Sequence, residues 1–111
     1  MIGQYFNIPK YDWDVKVYYD VYRDDIGFCI KQLRKLTTSN KIIKECIETL
    51  DTDKKDRAYI YSSYRKLETV IFIGDYSSTG ELINTITHEA NHLKSHIATY
   101  YNIFVFLFPN Q

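Results

Sequence analysis

The chain has 111 residues, 45% of them hydrophobic, with 14 Lys and Arg balanced by 14 Asp and Glu. That length supports one domain with its own core but not two independent ones. The neutral balance, with neither a basic stripe nor an acidic run, excludes nucleic acid as an expected partner and argues against a disordered tail.

In chain order, Trp13, Val15, Val17, Tyr19 and Val21 alternate with Asp14, Lys16, Tyr18, Asp20 and Tyr22. This period of two predicts a strand with one buried and one wet face. Asp24 and Asp25 then open a helical pattern whose stripe is Ile26, Cys29, Ile30, Leu33 and Leu36, with Lys31, Arg34 and Lys35 towards its end. Acid first and base last suits the helix dipole. Thr37 to Ser39 breaks that helix, and Ile42, Ile43, Cys46, Ile47 and Leu50 form a second amphipathic helix, so the two are expected to pack as a hairpin on the sheet. Cys29 and Cys46 match no C-x-x-C spacing and are expected as free buried thiols in a reducing compartment.

Asp51 to Arg57 reads as a polar turn, followed by a β-hairpin of Ala58 to Ser62 and Leu67 to Ile73. Val70 to Ile73 is apolar on both faces, so this second strand is expected to be mostly covered. Gly74 to Ser77 turns the chain into a long helix, predicted over 78–101. Ser78 and Glu81 fit a capping box at its start. Its apolar stripe is Ile83, Ile86, Ala90, Leu93 and Ile97, which should face the core. The run Ile103 to Phe108 is uncharged and rich in β-formers, which predicts a strand that must be covered, by the domain or by a second copy of the chain. No apolar run reaches the ~18–20 residues a membrane span needs, and no signal peptide is recognisable, so no membrane partner and a cytoplasmic location are expected. Together these elements predict an α+β fold, a small antiparallel sheet of about three strands with helices mainly on one face.

The long helix carries His88-Glu89-Ala90-Asn91-His92, an H-E-x-x-H motif, in a chain with only three His and five Glu. Histidines four apart stand one above the other on a helix, so two imidazoles can reach one metal ion. At ~100° per residue, His88, Glu89, His92 and His96 share an arc beside the apolar stripe. In this reading His88 and His92 ligate Zn²⁺, and Glu89 is the catalytic general base that takes a proton from metal-activated water. The bland alternative is a polar helix face that happens to hold two histidines.

A catalytic zinc usually takes three protein ligands. After Glu89 the chain has no Asp or Glu, and His96 is its only further His. His96 lies eight residues from His88, about 12 Å along an intact helix at ~1.5 Å per residue. It is therefore a weak candidate for the third ligand. Asp75 is a further donor but suits the turn before the helix better, and Tyr100, Tyr101, Asn102 and the terminal carboxylate rank below it.

At these residues the chain resembles the zincins, the H-E-x-x-H metallopeptidases. More narrowly, residues 1 to about 102 are similar to small zincin-like proteins encoded in gut-bacterial and phage genomes. That resemblance rests on Met1-Ile2-Gly3, the Tyr/Trp-rich first strand, the strand Thr69 to Ile73, and Asn84 to Ile97. It implies that the strand before the motif edges an active-site cleft, and that a second helix after the motif supplies an acidic third ligand. Ile103 to Gln111 stands where that helix would be, so the expectation is one zincin-like domain over 1–111, shortened at its C-terminal end.

Two functions follow. The first is a zinc-dependent peptidase acting on an extended peptide or protein substrate laid along Leu67 to Ile73. The second is a catalytically inactive zincin-like scaffold or assembly protein with an incomplete metal site, for which a homo-oligomer through 103–108 is one arrangement. An intact Glu89 between the histidines favours the first, and the apolar tail favours the second.

Overall fold

The computed structural model describes residues 1–107, with side chains through Asn102. Strand β1 (Ile2–Ile8) forms a hairpin with β2 (Trp13–Val21). A short 3₁₀ turn then leads into helices α1 (Ile26–Arg34) and α2 (Asn40–Leu50). A second hairpin, β3 (Ala58–Ser63) and β4 (Glu68–Gly74), precedes the long helix α3 (Thr79–Leu107).

The fold is α+β, but the sheet differs from the expected antiparallel trio. It has four strands in the order β1-β2-β4-β3, and the central pair, β2 and β4, runs parallel. The unforeseen strand is β1, an edge strand exposed along most of its length. Parallel pairing of β2 with β4 requires a long crossover, which α1, α2 and β3 supply.

Helices cover both faces rather than mainly one. On one side Tyr18, Val21, Val70 and Phe72 pack with Cys29, Leu33, Ile43, Cys46 and Leu50 of α1 and α2. On the other, Trp13, Val15, Val17, Ile71 and Ile73 pack with Leu93 and Ile97 of α3. The cause is visible in β4, whose successive residues Val70 to Ile73 send apolar side chains to both faces, and all four are buried. Both cysteines are free and buried, and burial pushes each thiol up to about 12.

Three finer expectations are corrected. The alternation in β2 holds from Trp13 through Tyr19, which packs half-buried beside Trp13, Val15 and Val17, but Asp20 takes φ 54° and the pairing register with β4 shifts between Tyr18 and Val21. Val21 therefore joins Tyr18 under α1 and α2, opposite Val15 and Val17. The run from Ile103 is not a strand: α3 continues to Leu107. The cover expected over residues 103–108 concerns side chains that lie outside the described residues.

The third correction is the rotation of α3. Ile83 is 58% exposed and Ile86 38%, and Ala90 is exposed as well. The buried line is Glu89, Leu93 and Ile97, flanked by half-buried Leu82, Thr85, His96 and Tyr100. At ~100° per residue the helix is turned roughly 60° from the expected stripe, towards its histidine arc. Contacts from the sheet set this rotation. Trp13 meets Tyr100 edge-on at 5.6 Å, and Ser62 holds His96. Among the described residues, no helix is long and apolar enough to cross a membrane.

Candidate metal and proton-transfer site on α3

The start of α3 is fixed by short polar side chains. Asp56 accepts hydrogen bonds from the Ser77 N–H at 2.9 Å and from the Ser77 hydroxyl at 2.6 Å, and these bonds hold its carboxyl below the ordinary range. Ser78 Oγ accepts the Glu81 N–H at 3.1 Å, which is the N-cap half of the expected capping box. At the next residue, just before β3, the buried guanidinium of Arg57 pairs with Asp75 and donates to the carbonyls of Leu50, Lys54 and Val21. The Asp75 carboxylate is thus engaged by Arg57, while its backbone carbonyl accepts the Asp56 N–H at 2.8 Å.

From this fixed start, α3 carries its motif residues to two environments. His88 and His92 are exposed, and their Nε2 atoms lie 2.9 Å apart with the rings nearly perpendicular at 82°. Spacing of four on a helix has therefore brought two ring nitrogens to one point, as the sequence predicted. Two imidazoles on a tetrahedral zinc, with bonds of ~2.0–2.1 Å, hold their nitrogens ~3.3 Å apart, a separation this pair reaches with a small spread.

Glu89 points inward instead. It is only 7% exposed, and its Oε2 has no hydrogen-bond partner. Burial raises its pKa above the ordinary value, while the neighbouring His92 and His88 pull it down. Glu89 also lines a recess of about 460 Å³ with Asp56, Ala58, Glu81, Thr85 and His88, between the start of β3 and the first turns of α3. The carboxylate thus sits at the boundary between core and recess.

His96 is not brought to the pair. Its ring centroid lies 6.4 Å from that of His92, and its Nδ1 is 2.6 Å from Ser62 Oγ. Ser62 Oγ is 2.7 Å from Thr69 Oγ1, which accepts the Trp13 indole N–H at 2.8 Å. Since Thr69 oxygen accepts from Trp13, its hydroxyl proton is free for Ser62, and the Ser62 proton for His96 Nδ1. Read in that direction, the chain of donors makes Nδ1 an acceptor and leaves the His96 proton on Nε2. Burial and the nearby His92 both lower the His96 pKa, in keeping with a neutral ring. Nitrogen NMR at pH 7 should therefore show the Nε2–H tautomer of His96; a proton on Nδ1 would reverse the relay.

The weaker donors are also placed. Tyr100 packs against Trp13 and Tyr101 against Tyr11, while Gln111 and its carboxylate lie outside the described residues. Among the described residues, no three of His, Cys, Asp and Glu come together to hold a metal. The imidazole pair fits two positions of a zinc centre, and the described residues do not add a third.

The strand expected to receive a peptide is corrected. Leu67 to Ile73 belongs to β4, which is bonded on both sides to β2 and β3 and has no free edge. The free edge on the α3 side of the sheet is β3, whose contacts with α3 are more extensive than those of β4. Sequence reasoning also missed Asp56, Ser62 and Thr69. The available signal was Trp13, whose indole N–H needs an acceptor once the ring is buried. Comparison with protein-family models, with curated proteins and with solved structures finds no match to this chain.

Proposed function

We propose that the chain is a zincin-like, metallopeptidase-type protein in which His88 and His92 hold a divalent metal, Zn²⁺ by the chemistry of the donors, and Glu89 moves the proton. The observation that carries this reading is the convergence of the two exposed Nε2 atoms, 2.9 Å apart, on the helix that also buries the unpartnered Glu89 carboxylate one residue after His88. A bound zinc would supply a Lewis acid for a peptide carbonyl and make an attacking water more acidic.

The chain's own residues supply the rest. Glu89, whose pKa burial raises above the ordinary carboxylate value, is a group that can accept a proton and return it. The free edge of β3 can bond an extended peptide through its main chain, in line with the long axis of α3. His96, held by Ser62, fixes α3 against that edge.

The second reading is a catalytically inactive scaffold or assembly protein of the same fold. It is favoured by one observation, the lack of a third ligand among the described residues. Metal analysis of purified protein and of the His92→Ala variant separates the two. Metal near one equivalent in the parent, falling to a small fraction in His92→Ala, supports the site, since each histidine is a direct ligand. Metal in neither protein would favour the scaffold.

A further inference from the structure

At the far end of β3 the surface changes character. A groove of about 710 Å³ lies between the α1–α2 connection and the β3–β4 hairpin. Four exposed cations line it, Arg34 and Lys35 on one wall and Arg65 and Lys66 on the other, and no Asp or Glu is among its lining residues. None of the four forms a salt bridge among the described residues, although the chain as a whole is neutral. Glu68, the nearest acid in sequence, is engaged by Lys16 at 3.4 Å.

Two of the cations are also held in place. Arg34 donates to the Thr38 carbonyl at 3.1 Å and to Asn40 Oδ1 at 2.7 Å, and the Lys66 ammonium donates to the Lys35 carbonyl. Arg65 has no hydrogen-bond or ion-pair partner among the described residues. A groove of this size exceeds what one small anion needs and suits an extended, negatively charged ligand.

Two observations choose among extended anions. Tyr61, Ser62 and Ser63 belong both to the groove and to β3, so a strand added to the β3 edge runs directly into the cations. The groove's tyrosines already have ring or core contacts, Tyr64 with Trp13 and Tyr100 and Tyr61 with the α1/α2 core, and Tyr64 alone is exposed, so successive bases would lack a row of rings to stack on. We propose that this groove binds an acidic segment of the peptide received by β3, so that the protein selects peptides with a run of Asp or Glu. The proposal rests on the peptide-binding reading above and names its substrate class. Counting from Ala58, beside the His88 recess, to Ser63 at ~3.3 Å per residue, the acidic run falls roughly 17 Å, or about five residues, from the residue facing that recess.

The test is fluorescence anisotropy with the intact chain and labelled peptides. Each carries a strand-forming Thr-Val hexamer with four Glu at its N-terminal or C-terminal end, and the control carries four Gln. One of the Glu peptides should bind about tenfold more tightly than its Gln control at low salt, as several modest ion pairs would give, and the advantage should shrink as salt is raised. Arg65→Ala/Lys66→Ala should remove the advantage without lowering the melting temperature, and Arg65→Glu/Lys66→Glu should transfer it to a four-Lys peptide.

Equal binding of the Glu and Gln peptides overturns the groove assignment and leaves strand addition standing. Failure of every peptide to bind overturns both, while the metal analysis remains a separate measure of the histidine site. Tighter binding of a single-stranded oligonucleotide of equal charge would also overturn the proposal, in favour of a nucleic-acid surface.

Discussion

Replacing Arg57 by Ala should destabilise the fold by about 3–5 kcal/mol and lower the melting temperature by on the order of 10 °C or more. Arg57 is buried, and its guanidinium joins four separate segments. It donates to the end of β2 at Val21 O, to the end of α2 at Leu50 O, to the following turn at Lys54 O, and to the Asp75 carboxylate before α3. Truncation leaves a half-buried carboxylate and buried carbonyls without donors, a larger penalty than the lost attraction itself. Gly74→Ala should act through the same residue, because a Cβ there would stand 2.8 Å from Arg57 Cγ and 2.9 Å from its Cζ. A guanidinium held by four bonds has little freedom to move aside. Thermal melts of both variants check this, and a loss of under about 1 kcal/mol in Arg57→Ala would show that the joint is dispensable. The consequence reaches the candidate site, since Asp56 N–H bonds to Asp75 O and the Asp56 carboxylate holds Ser77 at the start of α3.

What could be read from the sequence follows a physical pattern. The two imidazoles were legible because helical spacing alone brings residues four apart together, whatever the rest of the fold does. The strand over Trp13 to Val17 and both short helices were legible because each has a single apolar face. Reading failed where tertiary contacts decide. Nothing in the composition of β2 marks Asp20 as left-handed, although Asp tolerates that conformation better than most residues. Strand β1 shows no burial periodicity because Ile2, Tyr5 and Phe6 stay exposed on an edge. The Trp13–Thr69–Ser62–His96 relay joins three strands and a helix, and its first bond spans 56 residues of sequence. The rotation of α3 is the most instructive failure. Apolar periodicity favoured burying Ile83, Ile86 and Ala90, yet the sheet buries Glu89 in their place. A fold that turns aliphatic residues outward to bury a carboxylate departs from local preference at the position where chemistry is proposed.

That departure sets the last expectation. If Glu89 is retained for proton transfer, it should be a stability liability. Glu89→Met, which keeps the length of the side chain and removes the unpartnered oxygen, should stabilise the fold by about 1–2 kcal/mol, a melting gain of several degrees. Glu89→Gln should keep metal content and fold but lower hydrolysis of a zinc-dependent reporter peptide by roughly 10²–10⁴-fold, because an amide cannot accept the proton. The pH dependence has a definite sign. With its pKa raised in the fold above the ordinary value of 4.5, the Glu89 carboxyl binds its proton more tightly folded than unfolded. Its contribution to stability is therefore most favourable at low pH and declines as pH rises from about the unfolded value through the folded one, then levels off. The stability advantage of Glu89→Gln over the parent should be smallest near pH 4 and grow to a plateau across that window. A melting temperature that falls in Glu89→Met would make the carboxylate a structural requirement and favour the scaffold reading. Hydrolysis that survives in Glu89→Gln, or after complete removal of metal, would rule out the proton-transfer role even if the imidazole pair binds zinc.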